Sequence, residues 1–316
     1  MPIRIADNLP AINALRHENI FCISSSEADH QDIRPLRVLL LNLMPKKIET
    51  EVHLMRMLAN SPLQMDVELM RINDRPSKNT PIEHMETFYK SFEQVKDQKY
   101  DGMIVTGAPL GQTPFEDVTF WEDMKTILDW TQTNVTSVMF LCWGVQAAMY
   151  HLYGVEKHVL PKKISGVYPH KLVKPLSPIV RGFDDIFDAP HSRYAEVRTQ
   201  DIETQPELEV ISVSDTAGAY IFARKDGRQL FVTGHSEYEP LCLKDEYDRD
   251  IESGVAAAVP ENYFPDDDPN KSPIVTWKSH GNLLFANWLN YYVYQLTPFN
   301  TEKIGSELDE IGIALT

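Results

Sequence analysis

Apolar and polar positions divide the first half of the chain into a regular alternation. Short apolar runs occupy Leu36–Leu43, Met65–Ile72, Asp101–Thr106 and Thr136–Leu141, each bounded by polar or turn-forming residues, and they read as buried strands. Between them lie stretches of helical length at Lys47–Leu58, Pro81–Val95 and Phe115–Trp130. In the last of these, Phe115, Val118, Trp121, Met124 and Leu128 recur at helical spacing, a stripe that reads as core rather than as a ligand site. The fourth strand runs almost directly into Gln146-Ala147-Ala148-Met149-Tyr150, the opening of another helix. This β-α-β-α-β-α-β-α order predicts an α/β fold with a mostly parallel sheet and helices on both faces.

The second half is less regular. Glu209–Val213, Ala219–Arg224 and Gln229–Thr233 read as strands of a partly antiparallel extension, and Leu241–Glu252 as a helix. Pro260–Pro273 reads as a solvated loop; its Asp266-Asp267-Asp268 triplet lacks the further ligands a metal needs. Leu283–Leu296, rich in aromatics, predicts a buried C-terminal helix, with a mobile tail after Thr297. No internal repeat or linker divides the chain. The expected organisation is an N-terminal arm over 1–34, a single α/β domain over 35–297 and a tail over 298–316.

Composition narrows the classes. With 43% hydrophobic and 24% charged residues among 316, the chain has the balance of a soluble globular enzyme. A net charge of −16 argues against nucleic acid as the main partner. Three cysteines, Cys22, Cys142 and Cys242, are too few for a disulfide scaffold and too widely spaced for a metal knuckle, which suggests a reducing compartment. Met1-Pro2-Ile3-Arg4-Ile5-Ala6-Asp7 carries charges where a signal peptide needs an apolar core, and no apolar run approaches spanning length. A cytoplasmic protein that meets no membrane is expected.

Two places carry chemistry. The strand at Thr136–Leu141 stops at Cys142, just ahead of a helix. A side chain at such a turn projects from the sheet edge and meets the positive end of the helix dipole, which favours a thiolate. A buried structural cysteine is the other reading of a lone thiol. The second place bears on that choice: the strand at Gln229–Thr233 ends at Gly234 and then presents His235 and Glu237. In an extended chain, residues two apart face the same side, so Glu237 can hold one ring nitrogen of His235 and leave the other facing a thiol. Together they predict a Cys142–His235–Glu237 triad.

Longer runs carry a resemblance. They are Leu41-Asn42-Leu43-Met44-Pro45-Lys46-Lys47-Ile48-Glu49-Thr50, Val105-Thr106-Gly107-Ala108-Pro109-Leu110-Gly111, Ala189-Pro190-His191-Ser192-Arg193-Tyr194 and Ser279-His280-Gly281-Asn282-Leu283-Leu284-Phe285. Over nearly its whole length the chain resembles the homoserine O-succinyltransferase family of bacterial methionine biosynthesis, within the class I glutamine-amidotransferase-like superfamily. The resemblance implies a flavodoxin-like α/β fold, Cys142 as acyl-thioester nucleophile, His235 as proton acceptor and Glu237 as its supporting carboxylate. It further implies substrate contacts at Lys163, Ser192 and Arg249. At Gly111 the family's glutamate accompanies acetyl-CoA and its glycine accompanies succinyl-CoA. The chain departs at Gly144 and Ser236, where relatives carry Ala and Pro; glutamine amidotransferases also have glycine at the first of these.

The implied reaction suits the residues. A thiolate exchanging with an acyl-CoA thioester is nearly balanced, and His235 can then take the proton of a weakly nucleophilic hydroxyl. Backbone N–H groups of Trp143 and Ala108 are expected to form the oxyanion hole. Lys157–Arg181 holds five lysines and one arginine with no acid, a segment read as solvated loop except at Lys163. Lys46 and Lys47 follow the first strand at its carboxyl end and are candidates for the acyl donor. The expected partners are L-homoserine and succinyl-CoA as substrates, with no cofactor or metal, and the expected assembly is a homodimer. An acetyl-CoA-dependent homoserine acyltransferase, a glutaminase subunit and a non-catalytic protein of the same fold remain alternatives.

Overall fold

A strand that is apolar at nearly every position needs cover on both faces, and Leu36–Leu41 (β3) has it. Val38 and Leu40 pack with Leu54 and Leu58 of the helix Lys47–Ala59, while Leu39 and Leu41 face Met124 and Leu128 of the helix Trp121–Asn134. The structure is a computed structural model that describes residues 3–5, 9–17, 22–24, 34–73, 79–298 and 301–305. Around β3 the parallel strands are Met65–Met70 (β4), Tyr100–Val105 (β6), Val135–Leu141 (β7) and Gln229–Val232 (β12). Ile3–Ile5 (β1) and Cys22–Ser24 (β2) continue the parallel edge beyond β4, so two strands of the N-terminal segment, with the helix Pro10–His17 between them, join the sheet. Past β12 the sheet turns antiparallel through Gly218–Arg224 (β11), Leu208–Ser214 (β10), His158–Leu172 (β8) and Ile186–Glu196 (β9).

The register places the site. β7 lies between β6 and β12, with Phe140 opposite Val105 and Leu141 opposite Val232. The residues that follow these strands, Thr106-Gly107, Cys142 and Thr233-Gly234-His235, therefore leave the carboxyl edge side by side, where open α/β sheets bind ligands.

Several elements differ from expectation, each for a local reason. The largest is the ribbon β8–β9, part of which had read as solvated loop. The lysines of β8 stay exposed or half-buried, and its buried positions are Gly166, Val167, Tyr168 and, past an exposed Pro169, His170, so period-2 alternation is faint. The stretch Pro81–Val95 is two short helices, Ile82–Phe88 and Phe92–Val95, separated by Tyr89–Lys90 (β5), which pairs with β4. Ser91 and Gln94 form a capping box that starts the second helix afresh. Phe115–Asp117 is a single 3-10 turn, and the long helix begins only at Trp121. The C-terminal helix begins at Lys278, earlier than its apolar run suggests, and passes into a π-helical turn at Trp288–Tyr294. Of the tail, 299–300 and 306–316 lie outside the described residues. Thr301–Lys303 forms a 3-10 turn, Ile304 is buried and its carbonyl accepts a bond from Lys99 Nζ.

Candidate active site

Cys142 sits at the turn between β7 and the helix Trp143–Tyr153 with φ 47° and ψ −108°, a conformation L-residues rarely adopt. Its N–H donates to Val232 O and its carbonyl receives the N–H of Val145, which ties the strained residue to the strand on one side and the helix on the other. Gly107 closes over it: a Cβ there would stand 3.2 Å from Cys142 Cβ and 3.7 Å from both His235 Cε1 and Trp143 N. The absence of that side chain leaves a small space bordered by the thiol-bearing carbon, the imidazole and the first helical N–H.

His235 Nδ1 lies 2.8 Å from Glu237 Oε1, both side chains being buried. The expected contact is present, but the chain between them is a turn, closed by Tyr238 N–H to His235 O, rather than an extended segment. Tyr238 stacks on the imidazole at 4.2 Å between ring centroids. The His235 N–H donates to Pro190 O of β9, and Gly234 permits that approach, since a Cβ there would stand 2.6 Å from the same oxygen. Ser236 hydrogen-bonds the buried Tyr220 hydroxyl beneath the turn. Burial disfavours a charged imidazole, but Cys142 and Glu237, acting as anions and hydrogen-bond partners, outweigh it and hold the His235 pKa well above the usual histidine value. Those two partners therefore favour the protonated form of the ring facing Cys142.

The residues expected to hold substrate gather around the helix Cys242–Glu252. Lys163 Nζ lies 2.9 Å from Asp250 and 3.4 Å from Glu246. Ser192 donates to Glu246 Oε2, and Tyr238 donates to Glu246 Oε1 at 2.7 Å. Arg249 pairs with Asp250 at 2.9 Å and remains largely exposed. Trp277 Nε1 donates to Tyr238 O, and Trp277 packs with Tyr238, Leu243 and Tyr263, which fixes this helix beside the His235 turn. Glu246, Tyr238 and Arg193 were not singled out from the sequence. For Glu246 a signal existed: it stands four before Asp250 and three before Arg249 on a helix already legible, hence on the same face.

Two cavities meet at His235. The larger, of about 710 Å³, is bordered by Met44, Lys46, His53, Gly107, Glu237 and Arg249. The smaller, of about 280 Å³, is bordered by Ala108, Gly111, Cys142, Gln146, Arg193 and Tyr194. Lys46 reaches the larger cavity while paired with Glu49 at 3.2 Å. Lys47 departs from its expected role. Its Nζ donates to Asn42 O at 2.6 Å and to Met44 O at 3.3 Å, it borders neither cavity, and burial lowers its pKa to about 8.

The sheet order and the cysteine elbow facing a His–Glu pair define an α/β protein with the fold of class I glutamine amidotransferases. A glutamine amidotransferase structure from Thermotoga maritima matches with a TM-score of 0.53 at 12% identity, covering 83% of this chain and 100% of that one. The glutaminase domain of Trypanosoma brucei CTPS matches with a TM-score of 0.50 at 11% identity, covering 83% and 96%. Within that class the chain belongs to the homoserine O-succinyltransferase family, whose model matches residues 2–299, and it is an acyltransferase. The homoserine O-succinyltransferase of Proteus mirabilis is 56% identical, over 98% of this chain and 100% of that protein. The homoserine O-acetyltransferase of Brevibacillus brevis is 55% identical, over 95% of this chain and 98% of that protein.

Proposed function

We propose that the protein transfers the succinyl group of succinyl-CoA to the hydroxyl of L-homoserine through a thioester on Cys142, giving O-succinyl-L-homoserine and CoA. The observation that carries this reading is the strained Cys142 facing the His235–Glu237 pair where the two cavities meet. The Cys142 sulfur, as thiolate, attacks the thioester carbonyl. The oxyanion is received by backbone N–H groups of Trp143 and Ala108, and CoA leaves with the proton of the His235 imidazolium. The neutral imidazole then takes the hydroxyl proton of homoserine as its oxygen attacks the acyl-enzyme. The sulfur departs as thiolate, and the starting pair of charges is restored.

Homoserine carries an ammonium and a carboxylate. Glu246, held by Ser192, Tyr238 and Lys163, suits the first, and Lys163 with Arg249 the second. Lys46 on the rim of the larger cavity is in position to meet the phosphates of CoA. Gly111 favours succinyl as the acyl group, because a glutamate there would fill the smaller cavity and repel a second carboxylate. Acetyl-CoA is the second reading, since relatives of both names are nearly equally similar to this chain, at 56% and 55% identity. Both donors are small, soluble CoA thioesters, which fits a cytoplasmic enzyme.

The test is mass analysis of the protein after incubation with succinyl-CoA alone, and of products after adding homoserine and glutamine. The expected result is a succinyl adduct on Cys142, lost in Cys142→Ala together with turnover, and O-succinylhomoserine as product. Release of glutamate from glutamine, with no acyl transfer, would replace this reading by a glutaminase.

A further inference from the structure

Arg193 is buried among β9, the Gly111 loop and the helix that follows Cys142, in a chain of net charge −16. One terminal nitrogen donates to His191 Nδ1 and the other to Ala217 O, both neutral acceptors. Among the described residues its Nε is buried without a partner, and so is Gln146 Oε1 on the same cavity wall. Among the described residues Arg193 forms no ion pair. Cys142 and Glu196 act on it through space as negative charges, but among the described residues no carboxylate pairs with it, and a buried guanidinium without a paired anion is costly unless one arrives to meet it.

The other cations of that wall are occupied. Lys163 is paired with Asp250 and Glu246, and Arg249 with Asp250. Lys157 donates to Leu110 O and Thr113 O, and so holds the Gly111 loop rather than facing the cavity. Gly111 lies directly against Arg193's strand neighbours: a Cβ there would stand 3.5 Å from Ala195 N and 3.7 Å from Tyr194 Cβ. Cys142 borders the same space. Four bonds separate the sulfur of a succinyl thioester from its free carboxylate carbon, a reach of about 5 Å.

We propose that Arg193 is the residue that recognises the free carboxylate of the succinyl group, and that a glutamate at position 111 would use the same guanidinium in place of the substrate. The inference rests on succinyl as the transferred group and adds what Gly111 alone does not supply. An absent side chain makes room for the longer acyl group but does not attract it. A cation already buried at the end of that room does, because the desolvation of Arg193 is borne by the fold before substrate binds.

The experiment compares kcat/KM for succinyl-CoA, its uncharged isostere butyryl-CoA, and acetyl-CoA in the parent and in Arg193→Gln, with circular dichroism to check the fold. The parent is expected to favour succinyl-CoA over butyryl-CoA, and the succinyl-to-acetyl ratio to fall about 100-fold in the variant. An equal fall for succinyl and acetyl donors overturns the inference and assigns Arg193 to the fold or to Cys142. A parent that does not use succinyl-CoA overturns instead the donor reading on which it rests. Should Arg193→Gln not fold, Gly111→Glu and Gly111→Gln decide. The charged variant is expected to melt about 3 °C above the neutral one by pairing with Arg193, and equal melting overturns the inference.

Discussion

Glu237 reaches Nδ1 of His235 across a tight turn, and among the described residues its second oxygen, Oε2, is buried without a hydrogen-bond partner. A carboxylate placed in that way both fixes the ring and keeps negative charge beside it. Replacing it by an amide retains the shape but loses the charge and permits the wrong ring orientation. Glu237→Gln is therefore expected to keep partial activity, reduced roughly 10- to 100-fold, whereas His235→Asn, folded as the parent, loses about 1,000-fold or more in kcat. Near-parental turnover in His235→Asn would sink the assignment of the base.

Cys142 and Glu237 hold the His235 pKa well above the ordinary histidine value against the cost of burial, so activity should not rise as pH climbs through the ordinary histidine range. The charge that His235 presents to Cys142 should then change little through the neutral range, and so should the rate at which Cys142 is alkylated. His235→Asn removes that charge and should slow alkylation at neutral pH. The rate of alkylation of Cys142 by iodoacetamide, followed from pH 5 to pH 10, distinguishes the two. Superimposable profiles for parent and variant would show that the ring does not stabilise the thiolate.

Much of this site is legible in the sequence. The parallel half of the sheet follows from apolar runs buried on both faces, and the triad from a cysteine and a histidine each placed just past a strand end. The β8–β9 ribbon was not legible, and with it Arg193 and the route of Ser192 and Lys163 to Glu246 were lost. An alternating pattern identifies a strand only when one face is dry. In β8 most positions are half-buried or exposed, and its lysines lie along carboxylates that are distant in sequence. Lys47 was misjudged for a related reason. Its sequence neighbours mark a ligand-binding edge, but its ammonium finds backbone carbonyls of its own loop.

Acid stability should be set by a histidine pair behind the catalytic turn. Arg193 Nη1 donates to His191 Nδ1, so the His191 proton is on Nε2, from which it donates to His170 Nε2 at 3.0 Å. Protonating His170 would set two N–H groups against each other. Burial already lowers the His170 pKa to about 3 and that of His191 well below the ordinary value. Both pKa values are depressed in the folded state, so the unfolded chain takes up these protons first. Stability is then lost as pH falls from about 6.5 towards 3. The melting temperature is expected to drop by about 5 °C or more between pH 7.5 and pH 5. His170→Gln keeps an acceptor for His191 but cannot be protonated, so its drop should be smaller. An equal drop in both proteins would place the acid sensitivity elsewhere.

Glu246 separates the two half-reactions. It accepts hydrogen bonds from Ser192 and Tyr238 and lies 3.4 Å from Lys163, whose other partner is Asp250 at 2.9 Å. None of these groups belongs to the thiol elbow, and the smaller cavity extends from them to Cys142. Glu246→Gln removes a charge while keeping an acceptor for the two hydroxyls, so Tyr238 stays in place against His235. Formation of the Cys142 acyl-enzyme should therefore proceed within about 3-fold of the parent rate. The second step should suffer, because the ammonium of homoserine would enter the site without its counter-ion, and the KM for homoserine should rise roughly 10- to 100-fold. Rapid-quench measurement of the acyl-enzyme, alongside steady-state kinetics in homoserine, reads both steps on one preparation. If acylation fell as far as turnover, Glu246 would act through the Tyr238–His235 stack rather than on the amino acid. An unchanged KM would remove it from the acceptor site.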